Sequence, residues 1–215
     1  MTAAPAVVYL HGFASGPGST KAQFFRARLA DRGVALEIPD LAPDFTHMTV
    51  SGELALVEGL LARGPTVLMG SSLGGYLAAL AAARHPERVP ALVLLAPAFG
   101  FADRWEQRIG ADAYARWRRD RTTMVMHYGL DREVPLSFDL MDDARRHPAE
   151  PDPRCPALVI AGRRDDAVPL PAVEHFAAAR AGRELVVYDA GHELTEVLEP
   201  MWERTYAFLQ RFGID

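Results

Sequence analysis

A glycine-rich turn in the first half of the chain presents a serine that could act as a nucleophile. Residues 70 to 75, GSSLGG, match the pattern G-x-S-x-G, and they lie between a predicted strand and a predicted helix, which is the context that makes this pattern informative. The glycines permit a strained turn that exposes one serine side chain at the end of a sheet. The register selects Ser72 as the nucleophile, and Ser71 is expected to point elsewhere. Taken alone, the motif is also compatible with a serine that caps a helix.

Two later motifs supply an aspartate and a histidine. Residues 162 to 169, GRRDDAVP, have the register G-x-x-D-x-x-V-P, which selects Asp165, with Asp166 as the alternative carboxylate or as a helix cap. His192 follows Gly191 after the last predicted strand. The chain order Ser72, Asp165, His192 predicts a triad in which the histidine takes the serine proton and the aspartate orients the histidine. A lone histidine is more often structural, and this is the interpretation given to His47, His85, His127, His147 and His175.

The segment His11-Gly12-Phe13 lies immediately after the first predicted strand. In acyl transfer the carbonyl oxygen becomes negatively charged, and fixed backbone amides can stabilise that charge. Because Phe13 and Leu73 are expected to lie beside the serine turn, we assign the oxyanion hole to their backbone amides. His11 precedes the glycine at the strand end, so it is expected to stabilise the turn rather than to act as a base.

Short apolar segments alternate with longer amphipathic ones, which predicts a mostly parallel sheet flanked by helices. Continuous apolar runs such as ALVLL and ALVIA indicate strands buried on both faces. The predicted strands span residues 6–10, 35–38, 66–69, 91–95, 157–161 and 184–188. The predicted helices span residues 20–31, 49–62, 73–84, 171–180 and 197–211.

The segment from Ala98 to Pro156 breaks this alternation and is too long for an ordinary loop. We expect a single domain over residues 1 to 215 in which this cap segment, residues 98–156, forms a small helical insertion. An apolar acyl pocket is expected beside the serine, although aromatic residues of a cap also serve to bury it against the core. The candidate pocket residues are Tyr76, Phe99, Trp105, Met124 and Met126. An arginine run at Arg116, Arg118, Arg119 and Arg121 could attract an anionic substrate, but a solvated helix face is the favoured interpretation.

Composition excludes several classes of protein. The 215 residues carry a net charge of −5 without a basic patch, which argues against a nucleic-acid partner. The single cysteine, Cys155, cannot form an internal disulfide, and no run of cysteine and histidine has metal-ligand spacing. No metal or other cofactor is therefore expected. The first residues lack a basic segment and a long apolar stretch, so a cytoplasmic protein without a membrane partner is expected. Lys21 is the only lysine among 23 basic residues, and the sequence alone assigns it no function.

The motifs also carry a family resemblance. The segments YLHGFASGPGSTKA and GSSLGGY resemble the YqiA-like small serine esterases of the alpha/beta-hydrolase superfamily. In addition, CPALVI and GRRDDAVP are similar to serine hydrolases that remove acyl groups from protein thioesters and acyl glucuronides. The resemblance implies an α/β fold with Ser72 as nucleophile, Asp165 as acid, His192 as base and an oxyanion hole at Phe13 and Leu73.

Three functions are compatible with these motifs. The first is hydrolysis of small or medium carboxylic esters through an acyl-enzyme, with a small-molecule ester or acyl compound as the only expected partner. The second is acyl-thioester hydrolysis or protein deacylation by the same triad. The third is a non-catalytic ligand-binding or scaffolding protein, which would be expected to show a defect in the triad. The oligomeric state is not defined by the sequence.

Overall fold

The strands of the protein form one large sheet and one small one. The structure, a computed structural model, describes residues 4–215. Its strands are β1 (Ala6–Leu10), β2 (Leu36–Glu37), β3 (Thr66–Ser71), β4 (Leu92–Leu95), β5 (Thr122–His127), β6 (Arg132–Ser137), β7 (Ala157–Gly162) and β8 (Arg183–Tyr188). Six of them form a parallel sheet in the order β2-β1-β3-β4-β7-β8, and β5 pairs with β6 in an antiparallel hairpin. The six predicted strands are therefore present, and none of their ends is shifted by more than two residues.

Both faces of the large sheet are buried, as the continuous apolar runs predict. In β1, Val8 and Leu10 pack into the core on one face, whereas Val7 and Tyr9 pack into the core on the other. This alternation follows from the two-residue repeat of a strand. Helices cover both faces, so the parallel sheet lies between two helical layers.

The helices on the two faces follow the predicted segments closely. The α-helices are α1 (Thr20–Ala30), α2 (Val50–Leu61), α3 (Leu73–Arg84), α4 (Phe101–Ile109), α5 (Ala111–Asp120), α6 (Asp139–Ala144), α7 (Leu170–Ala178) and α8 (Leu198–Leu209). The helix α3 is buried on almost all sides, in agreement with its nearly uniform apolar sequence. Among residues 4–215, none of the helices combines the length and the apolar character that crossing a membrane would require. The interpretation of the first residues as lacking a basic segment and a long apolar stretch falls partly on residues 1–3, which lie outside the described residues.

The cap segment has a mixed structure, in which the expected helices are accompanied by an antiparallel hairpin that the sequence did not predict. It contains α4, α5, the β5-β6 hairpin and α6. The hairpin forms because TTMVMH and REVPLS alternate outward and inward side chains, and the pairing runs from Thr122 opposite Ser137 to His127 opposite Arg132. The boundaries of the cap segment at residues 98 and 156, and its place within a single domain, stay a prediction.

Candidate active site

Ser72 lies in a strained turn between β3 and α3. Its backbone has φ 54° and ψ −117°, a conformation that L-residues rarely adopt, and it is the N-cap residue of α3. A Cβ at Gly70 would lie 2.3 Å from the carbonyl oxygen of Gly74, and a Cβ at Gly74 would lie 2.1 Å from the carbonyl oxygen of Leu10. The two glycines of the motif are therefore required by close packing of the backbone around the turn. Ser71 is buried at the end of β3.

The structure brings the three residues of the predicted triad into one hydrogen-bonded chain. The distance from His192 Nε2 to Ser72 Oγ is 3.0 Å, and that from His192 Nδ1 to Asp165 Oδ2 is 2.8 Å. Since an ionised carboxylate only accepts hydrogen bonds, Nδ1 of His192 carries the proton and Nε2 accepts from the serine hydroxyl. The three residues follow β3, β7 and β8, whose carboxyl ends meet at one edge of the sheet. In this geometry the imidazole can take the proton of Ser72.

Asp165 and Asp166 have different environments. The side chain of Asp165 is 2% exposed, and its Oδ1 accepts hydrogen bonds from the amides of Ala167 and Val168. Burial acts to raise the pKa of Asp165, but the hydrogen bond and charge of His192 and the two amides outweigh it and hold the pKa below its ordinary value. Asp166 is exposed. It does not cap α7 either, because that helix begins after Pro169 without a side-chain cap.

Lys21 anchors the loop that carries His192, a contact that sequence reasoning missed. From α1, the buried side chain donates hydrogen bonds to the carbonyl oxygen of Glu193 at 2.6 Å and to its Oε2 at 3.3 Å. Burial lowers the pKa of Lys21, and the carboxylate of Glu193 opposes that shift. The signal was present in the sequence, since the only lysine of an arginine-rich chain stands in the segment YLHGFASGPGSTKA.

The loop after β1 lies against the serine turn and is held by His11. The imidazole Nδ1 donates to the carbonyl oxygen of Gly12 at 3.1 Å, and Nε2 accepts from the amide of Leu41 at 3.1 Å. Burial lowers the pKa of His11, which favours this neutral form. Among residues 4–215, the amides of Phe13 and Leu73 have no hydrogen-bond acceptor. They are therefore available to an oxygen atom placed near Ser72.

A cavity of about 350 Å³ opens beside the triad. Its volume is in the lower part of the range for small-molecule sites. The lining residues include Ser72 and His192 together with apolar and charged side chains from the cap segment and from the loop after β7. These lining residues are Phe13, Ser72, Leu73, Ala98, Phe101, Arg104, Trp105, Gln107, Arg108, Asp166, Ala167, Val168, Pro169 and His192.

Of the five predicted pocket residues, only Trp105 lines this cavity. Phe99 is buried and stacks on Phe176 with ring centroids 4.3 Å apart, so it belongs to the core. Met124 and Met126 are 54% and 45% exposed because the alternation of β5 turns both outward. Tyr76 lines a separate cavity of about 220 Å³, and its hydroxyl donates to the carbonyl oxygen of Pro148. These four residues therefore lie outside the lining of the cavity beside Ser72, because sequence periodicity does not define which side chains meet the serine.

The arginine run of the cap segment lies on an exposed surface. Arg119 pairs with Asp120, and Arg121 pairs with Asp139 and Asp142. None of the run lines the cavity beside Ser72. The interpretation as a solvated helix face is therefore favoured for these residues. The arginines that do reach the cavity, Arg104 and Arg108, were not singled out by sequence, although their spacing of four residues on α4 places them on one helix face.

The parallel sheet, the strained serine turn and the Ser-His-Asp arrangement define an alpha/beta-hydrolase. Residues 6–210 match the model of the Uncharacterised protein family UPF0227, and the chain belongs to that family. This confirms the resemblance to the YqiA-like group at the level of the alpha/beta-hydrolase superfamily.

Solved structures and curated relatives agree with the fold. Mouse alpha/beta hydrolase domain-containing protein 10 superposes with a TM-score of 0.81 at 19% identity, over 96% of this chain and 90% of that protein. Est1E from Butyrivibrio proteoclasticus, solved with ferulic acid bound, superposes with a TM-score of 0.81 at 19% identity, over 98% of this chain and 90% of that protein. The bovine mitochondrial palmitoyl-protein thioesterase ABHD10 is 26% identical over 179 residues, which cover 77% of this chain and 58% of the relative. The chain thus spans less than two thirds of the length of the curated relatives it matches.

Proposed function

We propose that the protein is a serine hydrolase that cleaves carboxylic esters of small or medium size through an acyl-enzyme. The observation that carries this proposal is the hydrogen-bonded chain from Ser72 through His192 to Asp165, with the serine in a strained turn that faces a cavity. Nucleophilic catalysis needs a serine, a base within hydrogen-bond reach and a group that orients the base. The proposal includes a small-molecule substrate, a cytoplasmic location and no nucleic-acid or membrane partner.

The reaction proceeds in two acyl-transfer steps. Ser72 Oγ attacks the ester carbonyl carbon while its proton moves to Nε2 of His192, and the C–O bond to the leaving alcohol breaks as that proton passes to the alcohol oxygen. Water then attacks the acyl-serine, with His192 first accepting and then returning a proton, which releases the carboxylic acid. Asp165 holds the imidazole tautomer and stabilises the imidazolium. The amides of Phe13 and Leu73 donate to the oxyanion in both steps.

A second candidate is hydrolysis of acyl thioesters. The specific observation in its favour is the match to a relative named as a palmitoyl-protein thioesterase. The same triad serves both reactions, because the acyl-enzyme is identical and only the leaving atom differs. A non-catalytic scaffold is disfavoured, since each member of the triad is present in hydrogen-bonding geometry.

The test is a panel of nitrophenyl esters and acyl thioesters of increasing chain length, measured with the wild-type protein and with Ser72→Ala. We expect ester turnover that is highest for short to medium acyl chains. For Ser72→Ala we expect kcat/KM to fall by about 10⁴-fold or more. A clear preference for thioesters in kcat/KM would favour the second candidate. Equal activity of the wild type and Ser72→Ala would contradict both.

A further inference from the structure

The cavity beside Ser72 contains two cationic side chains that the proposed chemistry does not use. Arg104 and Arg108 come from neighbouring turns of α4 and line the cavity together with Trp105 and Gln107. Among the described residues that line the cavity, Asp166 of the loop after β7 is the only one with a carboxylate. The walls between these polar groups are apolar. The cavity thus combines an apolar surface with an excess of positive charge next to the nucleophile.

Neither arginine forms an ion pair with a carboxylate in the part of the chain that the structure describes. Among the described residues 4–215, the ion pairs include none formed by Arg104 or Arg108. One nitrogen of Arg104, Nη1, donates to the carbonyl oxygen of Phe99, and its Nε is buried without a partner. Since a guanidinium has five N–H donors, most of the donors of Arg104 are left over. By contrast, several arginines elsewhere in the chain are paired with acidic side chains, among them Arg28, Arg63, Arg121, Arg180 and Arg183.

Gly100 lies against the guanidinium of Arg104. Gly100, which precedes α4, has φ +70°, and a Cβ there would lie 2.9 Å from Nη1 of Arg104. A glycine at this point both permits the backbone conformation and leaves room for the guanidinium. Burial lowers the pKa of Arg104, which is the expected sign of a partly desolvated cation. The negative charges of Asp165 and Asp103 oppose this shift without forming an ion pair with Arg104. A partly desolvated cation without an ion-pair partner costs stability, and an anionic ligand would reduce that cost.

We propose that the substrate carries an anionic group, a carboxylate or a phosphate, which Arg104 binds together with Arg108 while the acyl carbon lies at Ser72. A guanidinium matches both anions because its planar donors form two parallel hydrogen bonds to a pair of oxygens. Trp105, Phe101 and Phe13 contact the apolar part of the substrate. This inference rests on the proposed function and names the substrate class for it. Arg104 and Arg108 are specificity residues, and they take no part in proton transfer.

The test compares matched esters that differ in one charge. One series pairs 4-nitrophenyl hemiglutarate with 4-nitrophenyl butyrate, which places a carboxylate on the acyl side. A second series pairs butyryl glycerol 3-phosphate with monobutyryl glycerol, which places a phosphate on the leaving side. For each pair the measured quantity is the ratio of kcat/KM for the anionic ester to that for the neutral ester. This ratio is independent of the fraction of folded enzyme, so partial misfolding of a variant does not affect it.

In at least one series we expect Arg104→Gln to lower this ratio about tenfold or more, mainly through KM, because a charge-assisted hydrogen bond in a partly buried site is lost. Arg104→Lys should retain part of the ratio, since it keeps the charge without the planar donors. Arg118→Gln, on the exposed surface of α5, is the matched control and should leave the ratio unchanged. The series that responds identifies the anion and the side of the substrate that carries it.

An unchanged ratio for Arg104→Gln in both series would overturn the inference. In that case, hydrolysis of the neutral esters that is abolished in Ser72→Ala would still support the proposed function. Absence of any Ser72-dependent ester or thioester hydrolysis would instead overturn the proposed function itself. Ser72-dependent hydrolysis of neutral substrates therefore distinguishes a failure of this inference from a failure of the proposed function.

Discussion

Asp165 and Asp166 are adjacent in the chain, yet only Asp165 contacts His192. The sequence register favoured Asp165, and the structure gives the reason, since the loop after β7 buries this side chain and supplies two amide donors to it. A carboxylate in such surroundings remains ionised at neutral pH. At the scale of single residues, the acid member of the proposed triad is thus defined by backbone amides as much as by the histidine.

Replacing each aspartate by asparagine distinguishes the role of Asp165 from that of Asp166. We expect Asp165→Asn to lower kcat by about a thousandfold or more, because the amide can stabilise the wrong imidazole tautomer. Asp166→Asn, as the matched control, should change kcat by less than about fivefold, because this exposed carboxylate has no contact with His192. Steady-state kinetics on a nitrophenyl ester measures both. The reverse order of effects would mean that the triad uses the other carboxylate.

Lys21 shows what a residue outside the triad contributes. Its ammonium group fixes the main chain at Glu193, directly after His192. Without it the imidazole is free to move from Ser72, and catalysis depends on positioning to within fractions of an ångström. We expect Lys21→Met to lower kcat about tenfold or more with little change in KM, and Lys21→Arg to restore part of the loss. An equal fall of kcat in Lys21→Met and Lys21→Arg, or a change confined to thermal stability, would contradict this positioning role.

At the scale of elements, the helix α2 contains a buried acid on its core face. Glu53 shares this face with Val50, Leu54 and Val57, and its Oε2 is without a hydrogen-bond partner among the described residues. Burial raises the pKa of Glu53 well above its ordinary value, and the charge of Asp40 adds to the shift. The native state therefore holds this proton to a higher pH than the unfolded chain does.

The sign of the pH dependence follows from this difference. A raised carboxyl pKa in the folded state gives stability that is complete below about pH 4.3 and is lost as the pH rises towards the native pKa. Glu53→Gln removes the ionisation, so its advantage over the wild type in free energy of unfolding should grow from pH 5 to pH 8. Urea unfolding at several pH values measures it. A difference between the two proteins that is constant with pH would contradict the buried position of the acid.

The elements of the cap segment were the least predictable part of the fold. Strands such as β4 are identifiable because burial on both faces requires a continuous apolar run. The hairpin strand β5 has the period of a half-exposed strand, but the sequence interpretation treated residues 98–156 as one helical insertion. Which side chains face Ser72 depends on how α4 lies against the loop after β1, where Phe13 meets Trp105 edge to face with ring centroids 5.0 Å apart. Such a contact between distant segments leaves no periodic signal in the sequence.

At the scale of the whole molecule, the parallel sheet and the order of its strands explain why the proposed triad was predictable. Turns at the carboxyl ends of β3, β7 and β8 meet at one edge, so three motifs far apart in sequence converge there. The cavity is different, because it is assembled from the loop after β1, the start of α3, the helix α4 and the loop after β7. Its charge and shape emerge only when these parts are combined.

Active-site labelling tests whether Ser72 is an activated nucleophile. The whole protein is treated with a fluorophosphonate, and the modified residue is identified by mass spectrometry of its peptides. We predict one adduct per chain, located on Ser72, and no adduct in Ser72→Ala or in a sample unfolded in urea before treatment. An unmodified Ser72, or equal labelling of the wild type and Ser72→Ala, would contradict the assignment of this site as a serine hydrolase.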